Sequence, residues 1–319
     1  AEPGQTQSSQ SPDRCTGRLI GNRHPPSNQA LMNTVSKLEK LPLLSELSED
    51  QARGDILQIY QEIRRLSAVP MVALIWRHLA TLPGTLEWAW DFLAPAMRGG
   101  ALQQMAWQLA EKTRIPRQPA IDVAALRAAG ISEEDQLGIS NTLDGYNRAN
   151  PVNFVMVRCL SLHLAGATGS SQSQAWSHWQ PPPPPSALLP MINPEAMSPT
   201  VHALALLLTD RRSDAAPSTL LPSLYRHLAH WPAFLGYASV LVPHEFEAID
   251  AAAAQMRQQV DLACASLTSR LMPAAGQPAP SGQHLAQLIS ALEQFSIRIP
   301  EMVVIGNLLR AALPVAPRL

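Results

Sequence analysis

Residues 77–80, Arg-His-Leu-Ala, are followed by Pro83, and the same tetrapeptide recurs at residues 226–229, where it is followed by Pro232. The two copies are 149 residues apart. The same offset relates four further pairs of identical or similar residues without a gap, namely Ser132 and Ser281, Leu143 and Leu292, Tyr146 and Phe295, and Pro151 and Pro300. Because a single offset accounts for all of these pairs, the sequence predicts two copies of one structural unit.

The apolar residues of the first copy follow the spacing of amphipathic helices. After Gly54 they recur at i, i+3, i+4 and i+7, at Ile56, Ile59, Tyr60, Ile63 and Leu66. Further helices are expected at residues 71–82, 86–97, 101–112, 120–129, 132–147 and 151–165, which makes seven in this unit. Ser132 is expected to cap its helix and Pro151 to begin the next one. Because no segment alternates like a strand, the predicted fold class is all-α, with two tandem helical repeats packed as an intramolecular pseudo-dimer.

Composition divides the chain into four parts. Residues 1–31 are rich in Ser, Gln, Pro, Asn and Gly and are expected to form a disordered N-terminal segment, with Met32 as a candidate biological start. Residues 32–166 are the first predicted helical repeat and residues 201–319 the second. Residues 167–200 contain five consecutive prolines and are predicted to be a Pro-rich linker, either a spacer or a strap over the surface. An SH3-type ligand is the alternative interpretation of the prolines.

Charge and cysteine content argue against several classes of function. The net charge of -1 and the pI near 6.8 create no field that would gather phosphates, so no nucleic acid partner is expected. Cys15, Cys159 and Cys264 are far apart without a Cys-x-x-Cys pair, which favours a reducing cytoplasm over a disulfide framework or a zinc site. No run approaches the roughly 18 to 20 apolar residues of a membrane span, so no membrane partner is expected. The oligomeric state stays open, with a homodimer among the alternatives.

Short motifs with a chemical role are absent from the sequence. It contains no GxGxxG, GxxxxGK[ST], HExxH or GxSxG pattern, and no metal or organic cofactor is expected. His227 and His230 have the spacing of two metal ligands on one helix, but no third ligand accompanies them. His227 also has a counterpart in His78 at the offset of 149, which favours a packing or capping role for both histidines.

A series of short fragments is distributed over most of the chain after about Leu41, apart from the linker. They are Val69-Pro70-Met71-Val72-Ala73-Leu74, Leu79-Ala80-Thr81-Leu82-Pro83-Gly84, Ala89-Trp90, Ala129-Gly130, Tyr146-Asn147-Arg148-Ala149-Asn150-Pro151, Ser223, and Leu228-Ala229-His230-Trp231-Pro232. In these fragments the chain resembles the group I 2-haloacid dehalogenases, the class that accepts both D and L substrates. The resemblance implies an all-helical pseudo-dimer with its active site between the halves, a hydrolase function, and a small organic acid as substrate or ligand.

The resemblance also implies roles for particular residues. In that family an aspartate activates a water molecule that attacks the halogen-bearing carbon directly, and an asparagine helps to position the water. By resemblance Asn150 is this water-positioning catalytic residue, and the alternative is an N-cap for a helix that begins at Pro151. The counterpart of Asn150 at the offset of 149 is Ile299, an asymmetry that favours a role in the site. Counting back from the Trp231-Pro232 pair places the family's aspartate at Leu224, and leucine cannot deprotonate water.

The same resemblance places a substrate pocket. The predicted substrate-binding residues are Met71, Ala73, Leu74, Asn153, Ser223 and Leu224. Ala73 is the residue that the family has, whereas Met71 replaces a tryptophan, Leu74 a phenylalanine and Asn153 a tyrosine. The pocket is therefore expected to be kept in place with altered chemistry.

Three hypotheses on function follow. The first is a hydrolase of small 2-halocarboxylic acids whose base comes from elsewhere, and His227, one turn beyond Leu224, is the best substitute by spacing. The second is a non-catalytic relative that binds a small carboxylic acid in the same cleft. The third is an enzyme of different chemistry on the same helical scaffold.

Overall fold

The computed structural model describes residues 44–167, 176, 178–209, 220–272 and 276–314, and within them the regular elements are all helices. The predicted all-α fold class is therefore confirmed. The segment and start site predicted for residues 1–32 lie outside the described residues. The helices of the first half are α1 (Gly54–Ser67), α2 (Leu74–Leu79), α3 (Thr85–Arg98), α4 (Ala101–Glu111), α5 (Val123–Ala128) and α6 (Glu133–Leu164). A short 3-10 helix (Pro194–Ala196) precedes α7 (Pro199–Thr209), α8 (Ser223–Leu228), α9 (Pro232–His244), α10 (Phe246–Thr268) and α11 (Gly282–Ala312).

Helix α6 corrects the predicted pattern of short helices. Residues 132–147 and 151–165 were expected as two helices, but they form one continuous helix with Pro151 in its interior, so six helices rather than seven occupy residues 54–164. Pro151 does not begin a helix, and Asn150 is not an N-cap. A proline inside a helix removes one backbone hydrogen bond and crowds the preceding turn. The helix continues here because residues 151–157 are all buried, and their packing outweighs that cost.

The caps determine where the shorter helices begin. Helix α2 was expected over residues 71–82 but begins only after Ala73, whose backbone is extended (φ -67°, ψ 152°). Helix α5 begins after Asp122, whose Oδ1 accepts a hydrogen bond from the Ala124 amide at 2.7 Å. Ser132 caps α6 as predicted: its hydroxyl accepts from the Asp135 amide (3.1 Å), and the Asp135 carboxylate accepts from the Ser132 amide (2.9 Å).

Helices α6 and α11 form the central pair of the fold. They run in opposite directions, because Asp144 near the start of α6 binds Arg310 near the end of α11 (3.0 Å), whereas Arg158 lies 3.5 Å from Ser296 towards the other end. At Gly306 the Asn147 side chain packs against the backbone of α11, and an added Cβ would collide with its Oδ1 unless that side chain moved.

Each central helix contributes to both hydrophobic cores. One core combines residues 152–160 of α6 and 288–303 of α11 with α1–α4. The other combines residues 139–149 of α6 and 302–309 of α11 with α7–α9. The two halves of the chain thus share both cores. Superposition of the two halves stays a prediction.

The Pro-rich residues 178–198 run across the surface of α8 as a strap. Three of their carbonyl oxygens lie within hydrogen-bond distance of side chains in and after that helix: Ile192 near Arg226 (3.2 Å), Leu189 near His227 (3.1 Å) and Pro190 near His230 (2.8 Å). Arg148 of α6 donates to the carbonyl of Pro183 at 2.8 Å. Of the two forms predicted for the linker, these contacts favour the strap over a free spacer. Residues 168–175 and 177 of the predicted linker lie outside the described part of the chain.

Candidate functional site

A small cavity lies where α2 and α8 meet the middle of α6 and α11. Its volume of about 50 Å³ leaves room for roughly three to five water molecules, which suits a short-chain organic acid. The cavity is lined by Ala73, Leu74, Ile75, Tyr146, Asn150, Asn153, Leu220, Pro222, Ser223, Leu224, Phe295, Arg298, Ile299 and Met302. Six of the seven predicted site residues are therefore brought together here; the exception is Met71.

Met71 lies outside this cavity. It is buried in the core that contains α8 and lines a neighbouring groove beneath the strap. The predicted helix 71–82 would have placed Met71 one turn below Leu74 on the same face. Because α2 begins only at Leu74, Met71 belongs to the extended segment that precedes the helix and is not carried to the cavity.

Most residues of the lining occur in pairs that are 149 positions apart. The pairs are Ala73 and Pro222, Leu74 and Ser223, Ile75 and Leu224, Tyr146 and Phe295, Asn150 and Ile299, and Asn153 and Met302. Leu220 and Arg298 are the exceptions, since their counterparts Met71 and Ala149 do not line the cavity. A site on the axis between two repeats would have this composition, and small-molecule sites commonly form where two units meet.

The two long helices give the cavity one polar and one apolar wall. Tyr146, Asn150 and Asn153 share one face of α6, because residues four and three apart follow each other along a helix. Their counterparts on α11 are the apolar Phe295, Ile299 and Met302. The cavity can therefore hold a polar head and an apolar substituent side by side.

The two asparagines of the polar wall differ in their partners. Asn153 is buried, and its Oδ1 accepts a hydrogen bond from the indole Nε1 of Trp76 at 2.7 Å, which fixes the orientation of its amide group. Asn150 is partly exposed and makes no side-chain hydrogen bond with another described residue. The amide of Asn150 is thus available to a water molecule or ligand.

Ser223 connects the cavity to a buried ion cluster. Its hydroxyl accepts a hydrogen bond from the Arg77 guanidinium at 3.0 Å. Arg77 and Arg226, the first residues of the two repeated tetrapeptides, both bind the carboxylate of Glu46, at 2.8 Å and 2.6 Å. Both guanidinium groups are about 95% buried, so this shared carboxylate is needed to offset their desolvation.

Behind the polar wall, Tyr146 binds His227. The Tyr146 hydroxyl lies 2.7 Å from Nδ1 of His227, and Nε2 of the same ring lies 3.1 Å from the carbonyl of Leu189. A carbonyl can only accept, so Nε2 carries the proton and Nδ1 accepts from Tyr146. The Ser223 hydroxyl is close enough to lower the pKa of Tyr146. Tyr146 therefore links the cavity lining to His227 by a hydrogen bond, and Ser223, which accepts from Arg77, lies beside it.

The shifted pKa values of Tyr146 and His227 keep both side chains neutral. Burial, helped by the nearby Arg77 charge, lowers the pKa of His227 to about 4. Burial raises the pKa of Tyr146 well above its usual range. His227 does not line the cavity, so the base predicted from spacing could reach a water molecule there only through Tyr146. Its counterpart His78 likewise contacts a backbone carbonyl, that of Ser45, at 2.8 Å.

Among the described residues that line the cavity, none is an aspartate or a glutamate. Leu224, the position predicted for the family's aspartate, is 1% exposed and packs in the second core. The charged residue of the lining is Arg298, whose guanidinium forms an ion pair with Glu301 one turn further along α11, at 3.0 Å. The arrangement can bind an anion and orient a water molecule, but it holds no strong base.

The described residues contain no group of three or more His, Cys, Asp or Glu side chains that could hold a metal ion. Among the helices described, none has the length and apolar character needed to cross a membrane.

Solved structures with the same fold are D-2-haloacid dehalogenases. A mutant of that enzyme superposes with a TM-score of 0.65 at 17% identity, covering 85% of this chain and 94% of the other. Complexes described with D-2-CPA and with L-LA give TM-scores of 0.61 and 0.63 at 16% identity, again over 85% of this chain and over 95% and 96% of theirs. The chain therefore has the all-helical fold of the D-2-haloacid dehalogenases.

Sequence comparison gives two relatives with a related activity. The configuration-inverting 2-haloacid dehalogenase of Alcaligenes xylosoxydans xylosoxydans is 29% identical over 196 residues, and that of Pseudomonas sp. (strain 113) is 28% identical over 201 residues. Each alignment covers 60% of this chain, but it spans less than two thirds of the relatives, 65% and 64%. No protein-family model matches the chain. The resemblance to 2-haloacid dehalogenases is confirmed, and the configuration-inverting kind is what the comparisons support.

Several lining residues were not predicted from the sequence. They are Ile75, Tyr146, Leu220, Pro222, Phe295, Arg298, Ile299 and Met302. Most of them could have been found from the repeat. The residues 149 positions away from the predicted site residues include Leu220, Pro222, Ile75, Ile299 and Met302. Arg298 has Ala149 as its counterpart, so no pattern in the sequence distinguishes it from other surface arginines.

Proposed function

We propose that this protein binds a small 2-halocarboxylic acid in the cavity between α6 and α11 and hydrolyses its carbon–halogen bond slowly. The observation that carries this proposal is that Asn150 and Ser223, taken from the two halves of the resemblance, line one cavity with a polar and an apolar wall. The relatives in sequence are configuration-inverting 2-haloacid dehalogenases, and one solved neighbour is described in complex with D-2-CPA.

The two walls suit the two ends of such an acid. Phe295, Ile299 and Met302 offer apolar contacts to a halogen and to the short alkyl chain. Asn150 and Asn153 on the opposite wall offer amide groups to the attacking water molecule. Binding in this orientation would hold the reacting carbon between the two walls, and such positioning supplies much of the rate enhancement of many enzymes.

In the proposed reaction, water attacks the sp3 carbon on the side opposite the halide. The new C–O bond forms as the C–halogen bond breaks, and the products are a 2-hydroxy acid of inverted configuration, a halide ion and a proton. Asn150 accepts a hydrogen bond from the water and so directs its lone pair at the carbon. The proton passes to bulk solvent or, through the Tyr146 hydroxyl, to Nδ1 of His227.

Slow turnover follows from the groups that are available to take this proton. Positioned general bases typically contribute on the order of 10² to 10⁴ in rate. Leu224 cannot accept a proton. Burial lowers the pKa of His227 to about 4, so His227 is a weak base, and it can take the proton only through Tyr146. We therefore expect rates at least about 10²-fold below those of an enzyme with a cavity aspartate.

A second candidate is a non-catalytic protein that binds a small carboxylic acid in the same cavity. The observation that favours it is the absence of any Asp or Glu from the described cavity lining. The two candidates share the ligand and differ in turnover.

Halide release tests the proposal. Wild-type protein is incubated with D- and L-enantiomers of 2-chloro- and 2-bromopropionate, and binding of the same acids is measured by isothermal titration calorimetry. Slow halide release that Asn150→Ala abolishes supports the hydrolase, and binding without release supports the second candidate. If neither binding nor release is detected, the proposal is wrong.

We infer that the protein works in the reducing cytoplasm, which the free and buried thiols of Cys159 and Cys264 support. We further propose that the protein is of the group I kind and accepts both enantiomers, which the panel of D- and L-acids tests. We also propose that it forms a homodimer, which analytical ultracentrifugation tests.

A further inference from the structure

Arg298 is the charged residue among the described residues that line the cavity. Its side chain is 16% exposed, and its Nη1 donates to Oε2 of Glu301 at 3.0 Å. Glu301 itself is only 3% exposed. Arg298 therefore lines the cavity while a buried carboxylate holds its guanidinium in place.

The Arg298 guanidinium has N–H donors that the ion pair with Glu301 does not use. An arginine has five N–H donors in a planar fork, and the bond to Glu301 uses one of them. The fork matches the two oxygens of a carboxylate, and such charge-assisted bonds are strong in a site that excludes water. Glu301 also limits the desolvation cost of the guanidinium before a ligand arrives.

The charge occurs on one side of the cavity alone. The counterpart of Arg298 at the offset of 149 is the buried Ala149, which carries no charge and does not line the cavity. A cavity lined by near-symmetric pairs would otherwise accept a small acid in two orientations. A single guanidinium selects one of them, with the carboxylate at α11 and the 2-carbon turned towards the remaining walls.

From this geometry we infer that Arg298, held by Glu301, is the carboxylate-binding residue of the cavity and makes it specific for acids over neutral analogues. The inference rests on the proposed function, since it names the group that recognises the acid in that same cavity. It predicts discrimination between a carboxylate and an amide of the same shape.

The test compares 2-chloropropionate with 2-chloropropionamide as ligands in isothermal titration calorimetry. Wild-type protein is expected to bind the acid at least 10-fold more tightly than the amide, because hydrogen bonds to charged groups are worth more than neutral ones. Arg298→Gln is expected to weaken binding of the acid by about 10- to 100-fold and to leave binding of the amide unchanged.

Two further variants separate recognition from folding. Arg298→Gln removes a positive charge from beside the buried Glu301 carboxylate, so Arg298→Gln/Glu301→Gln, which makes both positions neutral, should show the same loss for the acid and be at least as stable as the single variant. Arg310→Gln is the matched control, since Arg310 lies on the same helix, pairs with Asp144 at 3.0 Å and does not line the cavity. It should bind both ligands as the wild type does.

The outcomes distinguish this inference from the proposed function. If the wild type binds the acid and the double variant binds it equally well, the role of Arg298 is wrong and the proposed function stands. If the wild type binds neither ligand, both are wrong. Loss of the amide together with the acid in a folded double variant would also overturn the inference, because it would assign Arg298 to the shape of the cavity rather than to its charge.

Discussion

The Tyr146 hydroxyl donates a hydrogen bond to Nδ1 of His227 over 2.7 Å, across the boundary between the two halves of the chain. This bond joins the polar wall of the cavity to the strap, since the other ring nitrogen of His227 donates to the carbonyl of Leu189. Both ring nitrogens of His227 are thereby satisfied in the neutral form. Because this contact requires neutral His227, we expect the stability of the protein to depend on pH. Because Tyr146 also lines the cavity, we expect the contact to affect ligand binding.

We predict that His227 makes the protein less stable as the pH falls from about 6.5 to about 4. Burial lowers the pKa of folded His227 to about 4, whereas the unfolded chain has the ordinary pKa of about 6.5. Between these values the unfolded state binds more protons, so the free energy of unfolding rises with pH and levels off above about 6.5. The shift corresponds to a loss of roughly 3 kcal/mol at most.

Urea unfolding of wild type and His227→Gln across this pH range measures the effect. The slope should be smaller in the variant. The buried His78 and the partly exposed His163 also have lowered pKa values, so the difference between the two proteins, rather than the wild-type curve alone, isolates His227. His244→Gln, at an exposed position, should follow the wild type. Parallel curves for wild type and His227→Gln would contradict the prediction.

Tyr146→Phe is expected to affect both stability and ligand binding. It leaves Nδ1 of the buried His227 without its donor, which costs about 1 to 3 kcal/mol, and it removes a hydroxyl from the cavity. Tyr60→Phe is the matched control, because the Tyr60 hydroxyl donates to the Leu47 carbonyl (3.0 Å) away from the cavity. Thermal melts and calorimetry with 2-chloropropionate should show a stability loss in both variants but altered binding in Tyr146→Phe alone.

Leu224→Asp is expected to increase the rate of halide release from 2-chloropropionate, by about 10²- to 10⁴-fold at most. The new carboxylate would sit in the lining of the cavity, where its apolar surroundings raise its pKa. The gain should therefore grow as the pH rises above neutrality. Leu224→Asn has nearly the same shape without a base and should show no gain. Fast, pH-dependent halide release by the wild type would contradict the premise and make Tyr146 and His227 the first groups to mutate.

Gly306→Ala is expected to destabilise the protein by about 1 to 3 kcal/mol, as overpacking of a core does. The added Cβ collides with the Asn147 side chain between the two central helices. Gly306→Ala/Asn147→Ala should recover much of the loss, because the colliding side chain is gone. Gly236→Ala, at a helical glycine with nothing within 4 Å of the new Cβ, should instead stabilise by about 0.5 to 1 kcal/mol. A neutral effect of Gly306→Ala in chemical denaturation would contradict the prediction and show that the Asn147 side chain moves aside at little cost.

The sequence predicted the fold class and six of the residues that line the cavity because both depend on patterns that act along the chain. Apolar spacing gave the helices, and the offset of 149 related Ser223 to Leu74 and Asn150 to Ile299. It failed at Pro151, where local propensity predicts a helix start but burial on all sides of α6 keeps the helix continuous. The misplacement of Met71 has the same origin, since it depended on one turn of helix that the chain does not form.

Arg298 could not be predicted for a different reason. Its neighbours in sequence are ordinary for a helix, and its counterpart at the offset of 149 is Ala149. Its position at the cavity depends on how α11 crosses α6, which is a property of the packed helices and not of either one. The ion pair with Glu301 is local to the helix, but only the tertiary structure shows that it faces a cavity.

The central claim is that the cavity between α6 and α11 binds a small 2-haloacid, and a crystal structure of the wild-type protein with D-2-chloropropionate tests it most directly. The account predicts the ligand within contact distance of Asn150 and Ser223, with its carboxylate on Arg298 and its chlorine against Phe295, Ile299 or Met302. A ligand bound instead in the groove beneath the strap, beside Met71 and His227, would contradict the account. So would an unliganded cavity at ligand concentrations that saturate binding in solution.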